Sequence, residues 1–390
     1  MRLNLPASLC SVFLLLSVLP GFVRAQEIDH NLPVYYEQMK ASVHDAATQP
    51  AENPIVRHAR PWPKDTVPDI QVHATEQRDG YVAMRISYQV SAWARVYAYL
   101  LLPDHEPGTL LPAVLLLHDH GAHFEIGKEK VVRPITDDTL LMSDAYAWAA
   151  RCYDGRFIGD ELAGRGYVVL VSDALMWGER QAVGGTRYEL QQALACNLMQ
   201  MGYSLAGLML HDDIRAAGVL STLDVVDTKR ISAVGYSMGA YRAWLLAASC
   251  PVVTSCAAVC WMSTNDQLIR VDNNQTKGGS AWSMFIPGLL SVLDYPEQAA
   301  LACPKPILII NATDDRLFPL EGVRSAYARM HQLWQAATGE KTVIKSGRQK
   351  VRPDASLWMQ TGTLCTHLVE GRHVFDKDMQ QEVFDWLMQQ

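Results

Sequence analysis

Apolar positions along this chain follow two rhythms. Between Ile70 and Leu102 they alternate with polar ones, as in YVAMRISYQV and ARVYAYLLL, with the turn RDGY between strands. A period of two predicts strands with one face covered, and such an opening suits the antiparallel edge of a mixed sheet. From Leu111 onward the apolar residues come in short, nearly continuous runs: PAVLLLH (112–118), YVVLVSD (167–173), RISAVGY (230–236), SCAAVCW (255–261) and KPILIIN (305–311). Turn residues bound each run, so these read as strands covered on both faces. Helical patterns such as MLHDDIRAAGVLSTL and AYRAWLLAAS lie between them. Strand–helix alternation predicts an α/β fold, a mostly parallel doubly wound sheet with an antiparallel N-terminal edge.

Such sheets bind ligands at the carboxyl ends of their strands. The segments that follow those ends are long, roughly 119–150, 174–205 and 262–298. Loops of this length predict walls or a lid over the strand ends.

The first 25 residues read differently. Arg2 precedes an apolar run from Leu9 to Leu19, too short to span a bilayer, and Val23-Arg24-Ala25 has the small-x-small form of a cleavage site. These predict a signal peptide over 1–25, a mature chain starting at Gln26, a secreted or periplasmic location and no stable membrane insertion. Residues 26–69 form an N-terminal arm with one helix around Val34 to Ala47 and a Pro-rich stretch, ENPIVRHARPWPKD; 70–390 is then one large domain.

Composition adds exclusions. Of 390 residues, 49% are hydrophobic, enough for a large core, and the net charge of −7 comes with no basic stripe of the kind nucleic acid requires. Eight cysteines less Cys10 leave seven, an odd number, and most sit in apolar contexts such as SCAAVC. They read as small buried hydrophobes, with one disulfide possible and no pair named.

The chemistry begins at GYSMG, residues 235–239. Alone, G-x-S-x-G is weak. Here a predicted strand runs into it and a predicted helix follows at once, which is the strand–turn–helix a nucleophile elbow needs. Ser237 is the candidate nucleophile. A serine hydroxyl needs a base, and His373 lies downstream, just before the amphipathic helix of DKDMQQEVFDWL. The orienting acid belongs after KPILIIN, where Asp315 stands four residues before Pro319 and Asp314 is the alternative. The chain order is then Ser237, Asp315, His373. Oxyanion donors would be the backbone N–H of Met238 and one from the turn HDHGAH (118–123), His120 by position and Asp119 next.

HDHGAH also matches H-x-H-x-x-H, the first ligand set of metallo-β-lactamase-fold hydrolases, but Ala122 stands where that family has an aspartate. His118 and His123 read as satisfied loop histidines, with no metal. Glu179 and Arg180 read as a structural ion pair. Lys128, Lys130 and Arg133 in KEKVVR read as a solvated face, with contact to an anionic substrate group as the alternative. Trp177, Trp261, Trp282 and Phe285 suit a sugar or aryl group, or the core.

From about Tyr88 to the C-terminus the chain resembles the α/β-hydrolase superfamily, most nearly its dienelactone-hydrolase-like and acetyl-xylan-esterase-like bacterial serine esterases. LLLHDHGAHFEIGKEK, VDTKRISAVGYSMGAYRAW, FIPGLLSVLDYPEQAAL, PKPILIINATDDRLFP and GRHVFDKDMQQEVFDWL carry the resemblance. Dienelactone hydrolases proper use a cysteine nucleophile, and the serine at 237 points to esters. The resemblance implies a secreted serine carboxylesterase that needs no cofactor and acts on a small-molecule or carbohydrate ester. Two other readings stay open: a serine peptidase of the prolyl-oligopeptidase type, for which 26–110 is too short to hold a propeller, and a non-catalytic hydrolase-fold binding protein.

Overall fold

The two apolar rhythms correspond to an edge and an interior of one sheet. The structure is a computed structural model describing residues 53–59, 69–91, 94–269, 282–346 and 356–390; the expected signal peptide and the helix around Val34 to Ala47 lie outside these residues. The alternating segments become β1 (Gln71–Arg78), β2 (Tyr81–Ser91) and β3 (Ala94–Pro103). The continuous runs become β4 (Leu111–Leu117), β5 (Val168–Ser172), β6 (Val226–Tyr236), β7 (Ser255–Val259) and β8 (Ile307–Ala312). Three further strands, β9 (Thr342–Ser346), β10 (Leu357–Thr361) and β11 (Leu364–Val369), complete an 11-stranded sheet in the order β1-β2-β3-β5-β4-β6-β7-β8-β11-β10-β9.

β1 to β3 form an antiparallel meander joined antiparallel to β5. From β5 through β4, β6, β7 and β8 to β11 every neighbour is parallel, and β10 and β9 close the far edge antiparallel. The sequence reading contained no strands over 342–369. TVIKS and LWMQT mix apolar with polar residues, and β10 is only half-buried for most of its length, so no continuous run marks them.

The continuous runs are continuous because successive side chains enter different cores. Ala113, Leu115 and Leu117 of β4 join one cluster with Trp244 and Tyr327, whereas Val114 and Leu116 join the other with Tyr153 and Phe375. β5 divides likewise, Val168 and Leu170 against Val169 and Val171. Helix Met238–Ser249 after β6 is buried from Met238 through Ala248, which explains its apolar residues on all sides. Its Arg242 is also buried and donates to Asp213 at 3.0 and 2.6 Å.

Parallel register places the chemistry. Leu117 faces Gly235, Tyr236 faces Val259, Val259 faces Ile310, and Ala312 faces Val369. The residues just beyond these strand ends, His118 to His120, Ser237, Asp315 and His373, therefore emerge along one rim of the sheet. All three long post-strand segments carry helices of their own, Thr139–Cys152, Tyr188–Gln200 and the short Asn265–Leu268. The first is capped by Asp138, whose side chain accepts from the N–H groups of Leu140 and Leu141. Among the described residues no single helix is long and apolar enough to cross a membrane, and no disulfide forms: Cys250, Cys256, Cys260 and Cys365 are buried thiols.

The KEKVVR reading needs correction. Lys128 and Lys130 are completely buried. Lys128 Nζ lies 2.8 Å from Glu129, 2.8 Å from Asp173 and 2.7 Å from Glu179. Three carboxylates converging on one ammonium offset its desolvation and hold it protonated, its pKa well above normal despite burial. Arg133 instead pairs with Glu76 at 3.0 Å. Glu179 and Arg180 do not pair with each other: Glu179 takes Lys128 and Arg85, and Arg180 takes Asp212 at 2.7 Å. Replacing Lys128 would strand buried carboxylates. Lys128→Met is expected to cost about 3–5 kcal/mol of stability, read as a lower midpoint in urea unfolding; an unchanged midpoint would contradict this account.

Candidate active site

Ser237 sits where β6 stops and helix Met238–Ser249 starts, with φ 55° and ψ −122°. A non-glycine residue in this region costs roughly 1–3 kcal/mol and persists only where its surroundings impose it. Here they do. The Ser237 N–H donates to the Val259 carbonyl at 2.8 Å, and its own carbonyl accepts from Ala240 at 2.9 Å and Tyr241 at 3.1 Å. Gly235 and Gly239 admit no side chain: a Cβ on Gly235 would lie 2.1 Å from the Gly239 oxygen, and one on Gly239 would lie 1.9 Å from the Leu117 oxygen. The turn is thus pressed against both its own helix and the end of β4.

The turn aims Ser237 Oγ at His373, whose Nε2 is 2.9 Å away. His373 Nδ1 is 2.6 Å from Asp315 Oδ2. The Asp315 carboxylate has no exposed surface, and its Oδ1 accepts from the N–H groups of Leu317 at 2.8 Å and Phe318 at 3.4 Å. Its neighbour Asp314 is exposed and uses its backbone N–H to hold the Gly371 carbonyl at 2.8 Å. Of the two aspartates, then, it is Asp315 that the structure brings to His373. Tyr236 donates its hydroxyl to the His373 carbonyl at 2.8 Å, and Phe318 stacks on the imidazole with centroids 5.9 Å apart. A carboxylate bonded to Nδ1 fixes the tautomer that leaves Nε2 free to accept the serine proton.

The expected donors flank this group. Met238 opens the helix, so its N–H is among the first-turn donors that a helix leaves unpaired. His120 and Gly121 line the same cavity as Ser237 and His373. The His120 imidazole is packed against Trp177, Phe124 and Tyr188, and its Nδ1 accepts from the Ala122 N–H at 2.9 Å. Burial, with the nearby Lys130 cation, lowers its pKa to about 3, so the ring is neutral and adds no charge to the site. His118 accepts from the Ala174 N–H at 2.9 Å, and His123 contacts Asp144 at 2.7 Å. The three histidines of HDHGAH therefore bond separately, each to its own partner.

The cavity holds about 370 Å³ and is walled by residues from all three long segments: Trp148 from the first, Tyr188 from the second and Met284 from the third, together with Trp261 and Phe318. Of the aromatics singled out in the sequence, Trp261 lines it. Trp177 is buried beneath, donating to the His120 carbonyl at 3.1 Å, and Trp282 and Phe285 pack near each other with centroids 6.0 Å apart. The sequence reading did not single out Trp148, Tyr188 or Phe318. Phe318 could have been found by its place three residues after Asp315; Trp148 and Tyr188 lie on inserted helices that carry no motif.

The chain is similar to known hydrolases. The dienelactone hydrolase family model matches residues 147–337, a span that includes Ser237 and Asp315. YtaP of Bacillus subtilis, provisionally described as a hydrolase, is 25% identical over 248 residues, 64% of this chain and 75% of YtaP. Among solved structures, a glucuronoyl esterase from Solibacter usitatus superposes with a TM-score of 0.58 at 13% identity, over 90% of this chain and 91% of that one. A Bacteroides fragilis protein provisionally described as an acetyl xylan esterase gives 0.52 at 17% identity, over 78% of this chain and 77% of its own. At such identities the structural likeness speaks for the fold.

Because the turn tolerates no Cβ at 239, Gly239→Ala must push the helix start away from Leu117. The expected result is loss of hydrolytic activity of about 10²-fold or more, with a lower melting temperature, measured by ester turnover alongside thermal unfolding. A variant with wild-type activity would show that the close approach is dispensable.

Proposed function

We propose that this chain, a dienelactone-hydrolase-like hydrolase of the α/β-hydrolase superfamily, is a serine carboxylesterase. The observation that carries the reading is the hydrogen-bonded series Ser237 Oγ, His373 Nε2, His373 Nδ1 and Asp315 Oδ2, with separations of 2.9 and 2.6 Å, set at the floor of an aromatic-walled cavity.

In this reading His373 takes the Ser237 proton as Oγ attacks the ester carbonyl. The N–H groups of Met238 and His120 receive the oxyanion. Collapse expels the alcohol with a proton from His373, leaving an acyl-enzyme on Ser237. Water then gives a proton to His373 as its oxygen attacks the acyl carbon; the Oγ–acyl bond breaks, His373 returns the proton to Ser237 Oγ, and the acid leaves. Asp315 holds the imidazole in place and stabilises its cation through both steps.

An acylated carbohydrate is the substrate class we favour. Trp148, Tyr188, Trp261 and Phe318 line the cavity and give a sugar or aryl ring an apolar wall, with Tyr188 the most accessible of the four, and two structural neighbours are described as an acetyl xylan esterase and a glucuronoyl esterase. The apolar N-terminal run supports a place outside the cytoplasm, where such polymers occur.

The test is a panel of acetyl, feruloyl, uronoyl and longer acyl esters beside aminoacyl-proline amides, run on the wild type, Ser237→Ala and Asp315→Asn. Esters should be cleaved and the amides not. Ser237→Ala should lower kcat by at least about 10⁴-fold and Asp315→Asn by about 10³–10⁴-fold. Equal hydrolysis by wild type and Ser237→Ala would refute the mechanism; cleavage of the amides alone would turn the reading to a peptidase.

A further inference from the structure

The esterase reading needs the His120 N–H to face the oxyanion, and within the turn HDHGAH only short local bonds act on its peptides: His118 Nδ1 reaches the Asp119 carbonyl at 2.9 Å, the Ala122 N–H donates to His120 Nδ1 at 2.9 Å and the His123 N–H to the His120 carbonyl at 3.4 Å. Gly121 and Ala122 both have positive φ, 61° and 55°, so this is an irregular turn outside any ladder. Its tie to the rest of the fold comes from below. Lys130 has no exposed surface. Its Nζ donates to the Asp119 carbonyl at 3.0 Å and to the His120 carbonyl at 2.9 Å. Each carbonyl has one other side-chain partner: His118 Nδ1 reaches Asp119 O at 2.9 Å, and Trp177 Nε1 reaches His120 O at 3.1 Å. The ammonium is the one side-chain group that grips both.

A trans peptide is planar, with its C=O and N–H pointing opposite ways. Drawing the carbonyls of Asp119 and His120 toward Lys130 therefore turns the N–H groups of His120 and Gly121 the other way. That other side is the cavity, which both residues line. Among the described residues neither N–H meets a protein acceptor, and successive free N–H groups in such a turn form an anion-binding concavity. The start of the serine helix is packed against the backbone of Leu117 and His118, from which the turn departs.

We propose that Lys130 is a positioning residue for the oxyanion site: through its two carbonyl bonds it aims the N–H groups of His120 and Gly121 at the oxygen that becomes negative during ester cleavage. This rests on the esterase reading. A purely structural role competes with it, because Lys130 Nζ also lies 3.7 Å from the buried Asp119 carboxylate. That carboxylate has its own donors, Tyr153 Oη at 2.6 Å and Trp148 Nε1 at 3.2 Å. As a counter-charge alone, Lys130 would affect folding and leave turnover untouched.

The two roles separate in the full-length protein. Lys130→Met removes the donors at similar length, and Lys130→Gln keeps two N–H donors without the charge. For each, kcat and KM are measured on 4-nitrophenyl acetate, with inhibition by a trifluoromethyl ketone, whose serine-bound hemiketal carries the oxyanion. Lys130→Met is expected to lose about 10- to 100-fold in kcat with KM within about twofold, to bind the ketone more weakly by a similar factor, and Lys130→Gln to recover part of both. If Lys130→Met does not fold, Asp119→Asn/Lys130→Met removes the charge pair together and the same readings apply. A folded variant with a lower melting temperature but wild-type kcat and ketone affinity would overturn the assignment. No ester turnover by the wild type would instead refute the esterase reading, and this inference with it.

Discussion

The contact on which the site depends is that between the start of helix Met238–Ser249 and the end of β4. A side-chain carbon at Gly239 would stand 1.9 Å from the Leu117 carbonyl, so the helix can approach only as bare backbone. That approach sets the angle at which β6 turns into the helix and forces Ser237 into a conformation that serine otherwise avoids. The same turn lifts Oγ above the sheet toward His373, leaves the Met238 N–H unpaired, and brings the HDHGAH turn beside it. The serine, its partners and the surrounding donors are separate pieces of chain, aligned because their parallel strands end in register.

Beneath this row lies an unusual density of buried charge. Lys128 and Lys130 are two residues apart and both wholly enclosed, yet they serve different neighbours. Lys128 ties the long segment after β4 to Asp173 and Glu179, which follow β5. Lys130 reaches up to the backbone that borders the cavity. Burial pulls its pKa below that of an ordinary lysine, with Asp119 opposing the shift. Such pairs contribute little net stability compared with apolar packing. What they supply is a fixed loop position, which an oxyanion donor requires to within a fraction of an ångström.

Much of this was legible in the residues. Runs such as PAVLLLH announced interior strands because side chains on both faces enter apolar cores, and GYSMG between a strand and a helix announced the sharp turn. His373 follows from chain order, and Asp315 rather than Asp314 from its place four residues before Pro319. The illegible parts share one cause, dependence on remote partners. KEKVVR looks like a wetted face because Asp173 and Glu179 lie 45 and 51 residues beyond Lys128. Glu179 and Arg180 look like a pair because they are adjacent, but a 3-10 turn sends them to different partners. The edge strand β9 and its neighbour β10 are too short and too mixed in polarity to show a period. Trp148 and Tyr188 reach the cavity only because their helices fold back over it.

The proposed chemistry requires that Ser237 Oγ be the atom that becomes acylated. The most direct measurement is to expose the folded protein to a fluorophosphonate, digest it, and locate the adduct by mass spectrometry. The account predicts one adduct per chain, on the Ser237 peptide, with labelling strongly slowed in His373→Ala. A folded protein that takes no label, or takes it on another residue, would contradict it.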